Sequence, residues 1–234
     1  MGSFVYEFHP EYIPDYALRI LGAMPMTLYL LVYSLVGGLL IGLLLTVAQV
    51  RGRGVVATIA HGYISLIRGI PPLVMIFLIF MGLPQVVPMI SGLPKSTYIV
   101  AAMMLVSSAN LGEMMRSSYL AVERGQTEAA LSVGMTERQA LVRIVLPQAV
   151  AIAVPTLGNN VISLFKETSL AFSIGTVDLM GKAQAISSAS FGNTRLESYL
   201  AVSIIYWACC VVIQLVTTLV ERLSTKGRAG VAAA

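Results

Sequence analysis

From residue 25 to residue 49 the chain runs without a single Asp, Glu, Lys or Arg. A helix of 25 residues at 1.5 Å per residue spans the roughly 30 Å of a bilayer's hydrocarbon with length left for tilt. Gly38 and Gly42 inside this run have the G-x-x-x-G spacing that lets helices approach closely, and packing within one chain is favoured over a dimer seam. Four further apolar stretches follow the first. Residues 55–87 are broken by Arg68-Gly69-Ile70-Pro71-Pro72, which no single straight helix accommodates, so a kink or break is expected there. Residues 98–120 make a third span, 147–165 a fourth and 199–220 a fifth. Residues 82–95, with Gly82, Pro84, Pro88, Gly92 and Pro94, read as a loop. Residues 168–198 are less apolar and are expected outside the hydrocarbon or folded back into the bundle.

Composition agrees. With 57% hydrophobic and 11% charged residues and a mean hydropathy of +0.83, most of the surface has to face lipid. The net charge of +4 is small and scattered, which argues against a nucleic-acid partner. Its arrangement says more than its total. Arg51, Arg53, Arg124, Arg138, Arg143, Arg222, Lys226 and Arg228 fall on one face, whereas Arg19, Lys95, Lys182 and Arg195 fall on the other. Eight against four sets the first face in the cytoplasm, with the N-terminus outside and the C-terminus inside. Glu7, Glu11 and Asp15 precede the first span, the wrong charge for a cleavable secretory signal. One membrane domain over residues 1–234 is expected, with residues 1–24 as an extracytoplasmic or interfacial segment.

The segment 124–146 is a polar island between the third and fourth spans. Good helix formers run from Glu123 to Val133, and Gly134 stands where a helix end takes a left-handed residue. Thr136 and Gln139 have the form of a capping box, so a second short helix is expected to reach Leu146, and Pro147 suits the start of the next span. The result is a helix-turn-helix in water.

Covalent chemistry has no candidate residues. Gly175 to Ala183 is the nearest approach to a phosphate-binding loop, but it has one residue too many between its glycines and lacks the Ser or Thr that would hold magnesium. His9 and His61 stand alone, and Cys209 and Cys210 are adjacent in an apolar run, so neither a metal set nor a disulfide is expected. The chain is read as no enzyme, with no catalytic residue, metal or cofactor of its own. Uphill transport would draw its energy from a partner or an ion gradient.

The island's spacing is specific. Glu128, Ala129 and Ala130, then Gly134, then nine residues to Ile144, with Leu146 and Pro147 closing, resembles the EAA loop of ABC importer permeases. Ile67-Arg68-Gly69-Ile70-Pro71, Gly112-Glu113 with Arg116, Gly158-Asn159-Asn160 and Phe165-Lys166-Glu167-Thr168-Ser169-Leu170 extend the resemblance to the polar amino acid uptake permeases, the histidine, glutamine and cystine types. It covers roughly residues 20–222. The resemblance implies an all-α integral membrane protein of the type I importer fold, with about five spans in the bacterial inner membrane. It also implies an ATP-binding cassette ATPase dimer that binds ATP and magnesium and docks on the EAA loop, a second permease subunit of the same or another kind, and an extracytoplasmic substrate-binding protein.

Two departures bear on substrate. Relatives often carry Gly-Asn-Glu where this chain has Gly158-Asn159-Asn160, and a neutral amide cannot neutralise a buried cation. Cationic amino acids are therefore disfavoured. The stretches 179–184 and 199–207 resemble cystine-type more than glutamine-type permeases, so cystine or another neutral or zwitterionic amino acid is expected. Asn159, Ser163 and Lys166 recur at i, i+4 and i+7 and, with Asn160, Arg68, Glu113 and Arg116, are the candidate lining of a substrate path. Glu113 and Arg116 at i, i+3 could equally form a structural ion pair. The alternatives are an ion-gradient-driven secondary transporter, against which the lack of internal repeats counts, and a membrane scaffold whose polar residues only join helices.

Overall fold

A computed structural model describes residues 8–52 and 54–229, with side chains as far as residue 223. The described residues hold helices and turns and no strand. In chain order these are α1 (Ile13–Leu21), α2 (Met24–Arg51), α3 (Val55–Gly69), α4 (Pro72–Phe77), α5 (Leu83–Val86), α6 (Lys95–Leu120), α7 (Arg124–Ser132), α8 (Glu137–Ala140), α9 (Leu146–Glu167), α10 (Leu179–Ala189) and α11 (Arg195–Ala229). Four helical stretches are long and apolar enough to cross a membrane: Met24–Arg51, Lys95–Leu120, Glu137–Ile174 and Arg195–Leu223. Val55–Gly69 and Pro72–Val86, bent by 104°, make a fifth if the pair is one span.

The bend has a local cause. Ile70 is extended at φ −97°, ψ 126°, and Pro71 at φ −58°, ψ 138°, because a residue before proline is pushed out of the helical region. Pro72 then restarts the helix at a position where a missing N–H costs nothing.

Several boundaries differ from the sequence reading. Residues 82–95 are not a plain loop: a π turn at Leu78–Gly82 carries α4 into α5, and a 3-10 turn follows at Pro88–Ile90. Proline is tolerated in first turns, so these prolines start short helices as well as end them. The second helix of the polar island does not stop before Pro147. α8 passes through a π turn at Leu141–Val145 straight into α9. Residues 168–198 hold a 3-10 stretch, Thr168–Ile174, and α10.

Two compact units each take three stretches of chain. The first draws on Met1–Leu35, Pro71–Met104 and Ser163–Val212. Ile20, Leu30, Ile76, Ile99, Phe165 and Leu179 are wholly buried in it. The Phe165 and Tyr206 rings lie 5.1 Å apart, and Phe80 meets Tyr98 edge-on at 5.5 Å, arrangements that aromatic quadrupoles favour. α1 packs on α10, and the Tyr16 hydroxyl donates to Thr194 Oγ1 at 3.0 Å. Asp178 caps α10 by accepting from Met180 N at 3.2 Å and Gly181 N at 2.9 Å, while Leu179 N donates to Thr27 Oγ1. The Gly175–Ala183 segment thus spends its polar groups on a turn and a cap.

The second unit draws on Val36–Ile70, Leu105–Ile162 and Ile213–Ala234. Here α2 and α6 touch through glycine. A methyl group on Gly42 would lie 2.9 Å from Gly112 N, and one on Gly112 would lie 3.2 Å from Gly42 O, so only glycine permits this approach. The Thr46 hydroxyl is within hydrogen-bonding distance of both glycine carbonyls, 2.8 Å and 2.9 Å away. The G-x-x-x-G pair therefore serves packing inside one chain, as expected. Tyr63 reaches from α3 to Ser108 Oγ at 2.9 Å.

Candidate functional site: a projecting helical element and a polar stripe

The polar island folds as a tight helix-turn-helix within the second unit. α7 ends in a Schellman closure: Gly134 N donates to Leu131 O at 3.0 Å and Met135 N to Ala130 O at 3.1 Å. This closure needs a left-handed residue, and Gly134 supplies it at φ +84°. The capping box forms as its sequence implied. Gln139 N donates to Thr136 Oγ1 at 3.3 Å and Thr136 N to Gln139 Oε1 at 2.9 Å. α7 packs on α8 and on the π turn, and Gln148 on α9 donates both to Ile144 O and to Gln126 Oε1 of α7. The element is held at both ends.

Burial divides its residues. Ala130 faces inward and Ile144 is half-buried, whereas Glu128, Ala129, Gly134, Leu146 and Pro147 are exposed. Composition did not single out what surrounds them: Val133 is 76% exposed and Val142 53%, with Leu131 also exposed. Leu131 and Val133 form an exposed apolar ledge immediately before the left-handed Gly134, in a segment read as water-facing. The only sequence cue was position, because Leu131 and Val133 immediately precede the left-handed residue.

The candidate path residues separate into groups. On α6, Arg116 grips Glu113 with both prongs, Nε to Oε2 at 3.0 Å and Nη2 to Oε1 at 2.6 Å. Arg68 and His61 of the same unit lie within electrostatic range of this pair. Arg68 is exposed in the last turn of α3, about 20 Å along the helix axis from Val55 at 1.5 Å per residue. Gln49 Nε2 lies 2.9 Å from His61 Nδ1, a pairing the sequence did not suggest.

On α9 the i, i+4, i+7 spacing carries three exposed polar side chains. Asn159, Ser163 and Lys166 are all exposed along one side of the helix. Asn160 stands about 100° round from Asn159, is half-buried, and donates its amide to Thr156 O at 2.9 Å. It borders the stripe without belonging to it. Among the described residues, no group of three or more His, Cys, Asp or Glu side chains could hold a metal ion.

Residues 38–226 match the family of binding-protein-dependent transport system inner membrane components. The chain is 38% identical over 227 residues to the probable amino-acid permease protein YxeN of Bacillus subtilis (strain 168), covering 97% of this chain and 98% of that one. It is 39% identical over 211 residues to the L-cystine transport system permease protein TcyL of the same organism, covering 88% and 87%. A crystal structure of an amino acid ABC transporter with histidines superposes with a TM-score of 0.83 at 31% identity, covering 92% of this chain and 99% of that one. Helix content, the helix-turn-helix and the sequence agree: the chain belongs to the binding-protein-dependent transport system inner membrane components, as a multi-pass permease of the polar amino acid ABC importers.

Proposed function

We propose that this permease carries cystine, or another neutral or zwitterionic amino acid, and that residues 128–147 are the element through which a partner ATPase dimer drives it. The observation that carries the coupling half is the exposed apolar ledge before Gly134, where Leu131 and Val133 stand in a polar segment. An apolar patch fixed by a closed turn and a capping box is a preorganised docking surface, because ordering entropy is not lost again on binding. ATP and magnesium then belong to the partner, and this chain contributes no catalytic group.

The substrate half is supported by two things. TcyL is named as an L-cystine transport permease, and Asn160 offers an amide in place of a carboxylate. Asn159, Ser163 and Lys166 line the path with donors and acceptors for a polar solute. Arg68 makes no ion pair among the described residues, whereas Arg116 is engaged by Glu113, so Arg68 is the better candidate for the substrate carboxylate. Its distance along α3 suits mid-depth in the bilayer. An extracytoplasmic binding protein delivers substrate on the N-terminal face, and a second permease subunit completes the path.

Ligand-stimulated ATPase activity of the reconstituted complex across a panel of amino acids tests this reading. Stimulation by cystine or glutamine above that by arginine is expected. Stimulation by arginine and lysine alone would overturn the substrate assignment, and no stimulation by any amino acid would overturn the function.

A further inference from the structure

The second unit contains a groove of about 320 Å3 between the C-terminal halves of α2 and α6 and the start of α9. Its floor is small: Thr46, Ser118 and Ala149 are each less than a tenth exposed. Its rim is apolar and open, with Leu43, Val47, Leu146 and Val150 between 42% and 60% exposed. The Thr46 hydroxyl is already used by the Gly42 and Gly112 carbonyls, so the floor presents little to a polar guest. One end differs. Arg51 closes the groove beside Tyr119, no acidic residue lines it, and Arg51 makes no ion pair among the described residues.

The groove is elongated: Leu43 to Arg51 is eight residues, about 12 Å along α2, and Leu146 to Ala153 is about 10 Å along α9. An apolar rim that ends at a single basic residue, with no acidic residue in the lining, complements a hydrocarbon chain that ends in an anionic group. The cation stands at the end where α2 terminates, and Tyr119 has the interfacial character of a headgroup-level aromatic. We infer that the groove is a site for an anionic phospholipid, one acyl chain lying between Leu43 and Ala153 and the phosphate resting on Arg51, in the leaflet on the side of residues 128–147. This inference does not depend on the substrate or on the ATPase.

The test uses the full chain in vesicles of equal phosphatidylglycerol and phosphatidylcholine, each in turn carrying a photoreactive acyl chain, with labelled peptides read by mass spectrometry. Phosphatidylglycerol should label the peptides holding Leu43, Val47 and Ala153 in preference to phosphatidylcholine. Arg51→Gln should lower that preference about fivefold, the factor equivalent to about 1 kcal/mol per basic residue at an anionic surface, and Arg51→Lys should restore most of it. Ala153→Phe should remove label from the groove while other lipid-facing peptides keep theirs, which separates a filled slot from a misfolded chain. Equal labelling by the two lipids in the unaltered protein would reduce the groove to ordinary annular lipid and overturn the inference. So would an unchanged preference in Arg51→Gln, or a groove that takes no label because a second subunit covers it.

Discussion

In the proposed path, an amide at position 160 in place of a carboxylate would change which solutes can be desolvated. Asn160 is half-buried beside the exposed stripe of Asn159, Ser163 and Lys166, its amide donating to Thr156 O. A glutamate there cannot donate to that carbonyl and turns a charge toward the stripe. Because a partly desolvated carboxylate attracts a cation and repels an anion, Asn160→Glu should raise transport of arginine relative to cystine or glutamine. Competition uptake with a binding protein that accepts both classes reads the ratio. An unchanged ratio with intact transport would place selectivity in the binding protein. Asp178 is a second residue with a measurable signature. Burial at the α10 cap raises its pKa from 3.8 to about 6, against the opposing pull of the Gly181 and Met180 N–H groups. The folded protein therefore holds a proton that the unfolded chain has released over that interval, and the stability this carries is full below about pH 3.8 and lost as pH rises through about 6. Asp178→Asn keeps a cap acceptor without the charge. From pH 4 to pH 7 its apparent Tm should gain on the unaltered protein by the equivalent of roughly 3 kcal/mol, at 1.36 kcal/mol per pKa unit. A difference that stays flat with pH would remove Asp178 from this role.

Elements differ in how openly the sequence declares them. The turn at Gly134 was readable because a helix stop and a capping box fall within six residues, and each has its structural counterpart, in the closure and the box. The π turn at Leu141–Val145 was not, because i to i+5 hydrogen bonding leaves no mark in composition. Reading Pro147 as a fresh start missed that α8 and α9 are continuous. Under the proposed coupling role, a displacement of α7 and α8 would pass through the π turn at Leu141–Val145 into α9. Gly134→Asp has open space for its side chain, so its cost is the left-handed backbone, about 1–2 kcal/mol, plus a charge on the docking ledge. The bundle should fold and the binding protein should dock, while ATPase association, read by co-purification, falls at least tenfold. Gly134→Asn, which tolerates the left-handed region and is uncharged, should retain most of it. Equal losses in both variants would mean that bulk rather than charge or backbone is at fault, and normal association in Gly134→Asp would sink the docking assignment.

At the scale of the whole chain, the apolar runs conveyed the four spanning helices and the bent pair with its break at Ile70–Pro71, because hydrocarbon thickness and proline geometry are strict constraints. Span ends came out short at Lys95 and Arg195, where helices continue into polar residues that apolarity alone does not mark as helical. The proposed path was legible only as a polar stripe at i, i+4 and i+7. That Glu113 already occupies Arg116, leaving Arg68 as the carboxylate candidate, depends on side-chain geometry that spacing left open between two uses. Substrate uptake into proteoliposomes tests whether amino acid import here is powered by a partner ATPase. The vesicles would hold the permease and its ATPase, with the binding protein and labelled cystine or glutamine on the N-terminal face and ATP on the face of residues 128–147. Uptake should require hydrolysable ATP on that face, persist when ionophores collapse proton and sodium gradients, and disappear in Gly134→Asp; uptake without ATP that follows an ion gradient would instead make the chain a secondary transporter.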